Sequence, residues 1–433
     1  MPTGLWFKRY AASCLVAASL VLYGPSARAR GTATWSAAWM AAMLPAPLPA
    51  NAATARPRLD APHLHGQTLR QMVVLGAGGK RLRIRLSNVY GRQPLRIDAA
   101  SVGRHMAGPA ASLDAASLRA LRFDGRRTLV LPPGAVRYSD PVDLPVHVGE
   151  TLGISLYVKA AVAPSSWHFD ALRDNFISPP GDYTATPTMS VASTTGATLW
   201  LSGVDVQADA PLPVLVTLGD SITNGFRSTR GAAQGYPEQL ARRLHHLGPT
   251  CRVAVVNAGI DGNEISDRDG GYGPGDSMER RFRRDVLGQH GVRYVLLLGG
   301  INDIGETTMV LRPQGRTLDG KAVAANIIAA QRRIIAQAHA AGLRIFGATI
   351  LPFEDAWNAY SAAGERARQR VNDWIRHHAR FDGVVDFDAA MRDPAHPARL
   401  RPDLDSGDHL HPNDRGYAAM AAAVSPALLG CPQ

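Results

Sequence analysis

Val214-Leu215-Val216-Thr217-Leu218-Gly219-Asp220-Ser221-Ile222-Thr223-Asn224-Gly225 reads as a buried strand running into a glycine-framed turn. A short apolar run without alternation suits a strand covered on both faces. A serine at a strand-to-helix turn is exposed, and its backbone N–H lies at a helix N-terminus, where negative charge is favoured. Flanking glycines let the chain bend and leave room for a substrate. A plain βα turn has the same ingredients, and Gly275-Asp276-Ser277 is a second copy of the tripeptide. That copy follows the glycine-rich run 270–275 with no strand ahead of it, so context selects Ser221.

Working outward, the chain after Pro211 alternates strand-like and helix-like segments. Apolar runs at 214–218, 253–256, 292–298, 343–350 and 384–387 read as buried parallel strands. Helical stretches lie at 237–247, 324–341 and 363–379, and 416–429 reads as a closing helix. This alternation predicts a doubly wound α/β domain over 211–433 with a five-stranded parallel sheet, whose ligands sit at the C-terminal ends of the strands.

Upstream, from 30 to 208, the pattern is β. Arg81-Leu82-Arg83-Ile84-Arg85-Leu86 alternates strictly, as does Leu152, Ile154, Leu156 and Val158, the pattern of strands with one wet face. Turn signals such as Gly78-Gly79 and Pro132-Pro133-Gly134 separate the runs. The expectation is an antiparallel sandwich or jelly-roll domain.

Residues 1–29 read as a secretory signal peptide: Lys8 and Arg9, an apolar stretch over 11–23, then Ala27-Arg28-Ala29 as a small-x-small cleavage site. The apolar stretch is short for a membrane span, so cleavage after Ala29 and a secreted or periplasmic product without stable membrane insertion are expected. Two cysteines then remain, Cys251 and Cys431. One disulfide and two separate thiols are both open.

The composition is that of a globular chain: 433 residues, 45% hydrophobic and 19% charged, which excludes a disordered or disulfide-dense chain. The formal charge of +11 would suit nucleic acid, yet the basic residues are scattered and no nucleic-acid-binding motif accompanies them. The run Arg280-Arg281-Phe282-Arg283-Arg284 reads as a solvated helix face.

Three further strand ends carry chemistry. After the second strand comes Asn257-Ala258-Gly259-Ile260-Asp261-Gly262, where a glycine can offer a backbone N–H at close range. After the third comes Gly299-Gly300-Ile301-Asn302-Asp303, where an asparagine amide can donate to an oxyanion, although an isolated asparagine is often a helix cap. Near the C-terminus comes Asp408-His409-Leu410-His411-Pro412-Asn413. An aspartate three residues before a histidine can orient the imidazole and balance its charge. Asp393…His396 and Asp60…His63 have the same spacing; the helix predicted directly after His411 favours Asp408 and His411. His409 and His411 lack further clustered ligands for a metal, and no cofactor motif is present. Asp220 and Asp303 read as structural. Phe353, Trp357 and Tyr360 are candidates to line a cleft, and His168 reads as a surface or packing residue.

These four blocks in this order resemble the SGNH hydrolase superfamily, the GDSL esterases and lipases. The resemblance implies a nucleophile at Ser221, oxyanion donors at Ser221, Gly262 and Asn302, and a supporting pair at Asp408 and His411. The glycine is Gly262 rather than Gly259 because the family glycine closes an N-x-x-x-x-G stretch. The start Trp35-Ser36-Ala37-Ala38-Trp39 and the Arg85-Leu86-Ser87-Asn88 strand are similar to bacterial secreted members with a β-sandwich ahead of the hydrolase, some of them described as arylesterases or xylan-linked acetylesterases. The implied activity is hydrolysis of small acyl esters, with acetyl groups on plant polysaccharide among the candidates. A lipase, an acyltransferase and a non-catalytic carbohydrate-binding protein are the rival readings. The role of the β domain is open.

Overall fold

The computed structural model describes residues 34–46, 61–106, 110–267 and 272–432. The expected signal peptide and its cleavage site lie outside the described residues, as does Asp60. No helix among the described residues is long and apolar enough to cross a membrane.

The parallel sheet is built from Val214–Gly219, Ala254–Gly259, Val292–Leu298, Arg344–Ala348 and Val384–Val385. Counting these strands along the chain, their spatial order is second, first, third, fourth, fifth. Parallel neighbours need crossover connections; helices Tyr236–His246, Gly320–Ala340 and Ala362–His377 supply three of the four, and Met278–Phe282 with Arg283–Leu287 lies in the other. The first strand is central, flanked by the second and third in register: Gly219 lies opposite both Gly259 and Leu298. Ser221, Gly262 and Asn302 therefore leave the sheet from one common line of strand ends.

The predicted closing helix is shorter than its periodicity implies. It runs over Asp414–Ala423, and a separate 3₁₀ turn covers Pro426–Leu429. Pro426 has no N–H to continue the ladder, and Ser425 before it is extended, with φ −67° and ψ 127°. Helix Ile301–Leu311 was not legible as a helix. Its Gly305 and paired threonines at 307 and 308 weaken helical propensity, and packing decides it: Ile301, Ile304 and Glu306 are all buried.

The N-terminal half consists of antiparallel sheets. One places Trp35–Met40, Leu201–Gln207, Gly79–Ser87 and Val142–Val146 side by side. The larger one is centred on Gln67–Val74 and Thr151–Val158. Leu82, Ile84 and Leu86 of the first sheet share a core with Leu69, Val73 and Leu152 of the second, and the same apolar cluster continues into Val216 and Val256 of the parallel sheet.

The wet face expected for 81–86 is largely covered. Arg83 lies over the rings of Trp35 and Tyr138 at 4.5 and 4.1 Å and donates to Asp205 at 2.9 Å. Arg85 is 7% exposed and reaches the 288–290 loop, donating to the Gln289 side chain at 2.9 Å and the Gly288 carbonyl at 3.3 Å. The alternation is real, but the second face meets the other half of the molecule rather than solvent. Gly76 marks the closest approach: a Cβ there would lie 2.1 Å from the Val255 carbonyl oxygen. The β half thus covers the edge strand Ala254–Gly259, an edge that would otherwise be open.

Cys251 and Cys431 form a disulfide, with Cα atoms 4.8 Å apart and a sequence separation of 180. It ties the approach to the second strand to the chain's end. A loop of that length gives up enough chain entropy that a double serine variant at 251 and 431 should lose about 2–5 kcal/mol of stability. Urea denaturation of the oxidised protein beside that variant checks this; coincident midpoints would refute it.

Candidate active site

Ser221 opens the short helix Ser221–Asn224. Asp220 caps it, accepting the Ile222 N–H at 3.0 Å. The turn is tight enough that a Cβ on Gly219 would lie 2.0 Å from the Thr223 hydroxyl, so the glycine is sterically required. Gly225, at φ 98°, ends the helix in the left-handed conformation. The Ser221 hydroxyl is 2.8 Å from His411 Nε2. His411 Nδ1 is 2.8 Å from Asp408 Oδ2, and Asp408 Oδ1 accepts the backbone N–H groups of Leu410 and His411 at 3.1 and 2.8 Å. Ser221, expected from its turn to be exposed, is buried under the packing around the strand ends, as is His411.

Burial works against the charge on Asp408, but the hydrogen bond and charge of His411, with the two backbone donors, outweigh it. They hold the carboxyl well below the usual carboxylate range. An ionised Asp408 fixes the imidazole with Nδ1 as donor, leaving Nε2 as a hydrogen-bond acceptor toward the Ser221 hydroxyl. Two rings frame His411: Phe226 meets it edge-on at 4.7 Å, and the indole of Trp357 is nearly parallel to it at 6.4 Å. Trp357 is 51% exposed. Of its two candidate companions, Phe353 is core and Tyr360 packs against Phe353 at 5.3 Å.

Gly262 has φ 75°, a left-handed turn that favours glycine. Gly259 is needed for a different reason. It ends its strand against the Ser221 helix, where a Cβ would lie 2.2 Å from the Asn224 nitrogen. Asn302 does not cap its helix. The cap position is Gly300, and the Asn302 amide donates to the Asn263 carbonyl at 3.1 Å. Asp303 next to it accepts the Ile265 and Ser266 N–H groups at 2.9 and 3.2 Å, together with the Ser266 hydroxyl. Its role is structural, pinning the loop after Gly262.

The competing motifs have other duties. Ser277 caps Met278–Phe282, and Asp276 takes hydrogen bonds from Tyr90 and Arg284. His396 is exposed, and Asp393 accepts the Ala395 N–H. His409 bonds Asp405 at 2.7 Å. His168 bridges the Ala42 carbonyl and Asn224, at 3.0 and 3.1 Å.

The largest miss is Arg281. The 280–284 run is not simply a solvated face: Arg281 is fully buried. It donates to the Gly219 and Ala258 carbonyls at 2.8 Å each, to the Asn263 side chain at 2.9 Å and to Asp285 at 3.1 Å. Arg284 is also engaged, by Asp276, Asp285 and Tyr90. The signal lay in Arg281 and Asp285 being four residues apart, a spacing that pairs side chains on one helical face.

Residues 217–419 match the model of the GDSL-like Lipase/Acylhydrolase family. The α/β half is a GDSL-like lipase/acylhydrolase domain, and the protein is a hydrolase. Similar solved structures include a putative lipolytic protein of the G-D-S-L family from Desulfitobacterium hafniense, at 20% identity over 48% of this chain and 96% of that one, with a TM-score of 0.34. An alpha/beta hydrolase enzyme from the metagenome of Lake Arreo is 23% identical over 51% of this chain and 95% of its own, with a TM-score of 0.37. An acetylxylan esterase from Geobacillus stearothermophilus is 21% identical over 49% and 91%, with a TM-score of 0.36. No curated protein matches the chain.

Asp220 generates a test of this site's electrostatics. It is fully buried and its Oδ2 has no hydrogen-bond partner among the described residues. Burial pushes its carboxyl up to about 7; the Ile222 N–H opposes this and the charge of Asp303 adds to it. The folded state then binds more protons than the unfolded state between about pH 4 and 7, so stability falls as pH rises through that window. Asp220→Asn keeps the capping oxygen and removes the penalty. Between pH 5 and 8 its stability relative to wild type should rise by about 2–3 kcal/mol. Denaturant titrations at the two pH values measure this, and parallel behaviour of the two proteins would disprove it.

Proposed function

We propose that this protein is an exported serine esterase that hydrolyses small acyl esters. The reading rests on one observation: hydroxyl, imidazole and carboxylate of Ser221, His411 and Asp408 stand in line at 2.8 Å per step. Ser221 attacks the ester carbonyl while His411 takes its proton, and Asp408 balances the imidazolium. The oxyanion is received by the N–H groups of Ser221 and Gly262 and by the Asn302 amide, which exchanges its Asn263 acceptor for the substrate oxygen. His411 then protonates the departing alcohol, and water releases the acyl group from Ser221 by the same route.

The half-exposed indole of Trp357 beside His411 favours an alcohol that can stack on its face, a sugar ring through its C–H face or an aryl group, bearing an acetyl or similarly small acyl group. Acetyl groups on plant polysaccharide fit this description. The Cys251–Cys431 disulfide supports export, since such bonds persist in oxidising compartments.

Acetate release from acetylated xylan and p-nitrophenyl acetate tests the proposal. Ser221→Ala should lose at least about 10³-fold in kcat on both substrates. Asn302→Ala should lose roughly 10²–10³-fold in kcat with KM little changed. Unchanged rates in Ser221→Ala would end the esterase reading. Preference for long acyl chains would make the protein a lipase, and acyl transfer to an added alcohol in place of hydrolysis would make it a transferase.

A further inference from the structure

Asp408 Oδ2 has a second suitor. The Arg227 Nε donates to the same oxygen that receives His411 Nδ1, at 3.1 Å. Arg227 lies two residues beyond Gly225, which ends the Ser221 helix, and has φ 71°, a left-handed conformation that costs energy for a residue with a Cβ. That turn lays its guanidinium 5.3 Å from the centre of the Phe226 ring, whose edge packs on His411. Tyr417 of the closing helix donates to the Phe226 carbonyl at 2.6 Å, and Asp414 takes the Thr229 N–H at 2.8 Å. The segment is therefore fastened on both sides of Arg227.

A carboxylate shared between two cationic partners supports each of them less than it would alone. The guanidinium also repels the imidazolium that forms during catalysis. Both effects act in the same direction. We propose that Arg227 is a positioning residue of this site: it anchors the Asp408 carboxylate and makes His411 a weaker base than Asp408 alone would make it. The inference rests on the esterase reading above.

Other ionisable groups face this pair. Asp405 is paired with His409 on the same loop. Asp414 and the buried Tyr417 lie on the closing helix; burial first, and then the charges of Asp261, Asp220 and Asp408, push the Tyr417 phenol well up, so it stays neutral. Of these, Asp220 titrates near neutrality, so the experiment must separate its contribution from that of His411. Arg227 is about half exposed, with a side-chain exposure of 54%. Its influence is accordingly salt-sensitive, which a purely structural role is not.

The test is the pH profile of kcat/KM for p-nitrophenyl acetate, followed as acetate release, at about 0.02 M and about 1 M salt. At low salt Arg227→Gln should move the acid limb upward by about half to one pH unit, and high salt should bring the two proteins together. Arg227→Lys, which keeps the charge, should stay near wild type. The shift should persist in an Asp220→Asn background. An acid limb identical to wild type at low salt, a shift indifferent to salt, or its disappearance in the Asp220→Asn background would each overturn the proposal. Ser221→Ala, run in parallel, separates the two levels: loss of activity leaves the esterase reading standing whatever Arg227 does, and retained activity overturns both.

Discussion

A guanidinium removed from water must find acceptors for its donors, and the acceptors Arg281 finds are the strand ends that carry the site. It is fully buried. One nitrogen holds the carbonyl of Gly219, where the first strand ends. Another holds Ala258 on the second, and a third holds the Asn263 side chain one residue beyond Gly262. The Asn263 carbonyl in turn receives the Asn302 amide. Asp285 neutralises the charge. The Ser221 turn, the Gly262 turn and the Asn302 helix are thus fastened to one planar cation, and the rigid fork of arginine fixes their spacing.

The histidine reaches this frame from the other end of the chain. His411 sits in a loop whose backbone bends around Asp408, so that both backbone and imidazole N–H groups converge on one carboxylate. The following helix anchors that loop: Asn413 caps it, accepting the Gly416 N–H at 3.0 Å, and Tyr417 donates back to the Phe226 carbonyl. The β half contributes to the same region from the opposite side. His168 holds Asn224, and Asn224 holds Asp261 at 2.8 Å. The described residues of both halves accordingly share one continuous apolar core, with the antiparallel sheets covering the sheet edge at Ala254–Gly259.

Legibility in the sequence followed the range of the interactions involved. Parallel strands are read from uninterrupted apolar runs, and all five strands lie where those runs are. The positions of Ser221, Asn302, Asp408 and His411 at strand ends and before a helix were legible for the same reason: turn chemistry is local. Two of the failures are non-local. Arg85 and Arg281 look like surface residues because a guanidinium alternating with apolar residues, or set in a basic run, normally faces water; their partners lie far along the chain or in loops whose path the fold alone determines. Helix Ile301–Leu311 is held by burial that its propensities do not announce. The closing helix stops before Pro426, which stands inside the periodic stretch, a local stop signal that helical periodicity masks.

The amino-acid sequence by itself determined the fold class of the α/β half, the GDSL-like family of that half and the residue types at each strand end, because strand period, helix period and glycine-bearing turns are written in neighbouring residues. Only the tertiary structure decided that the Ser221 hydroxyl meets the imidazole of His411 across 190 positions of chain, that Cys251 and Cys431 join, and that Arg227 shares the Asp408 carboxylate. Each of these is a contact between residues distant in sequence. Its geometry follows from the packing of the whole sheet and its helices, which no local pattern encodes.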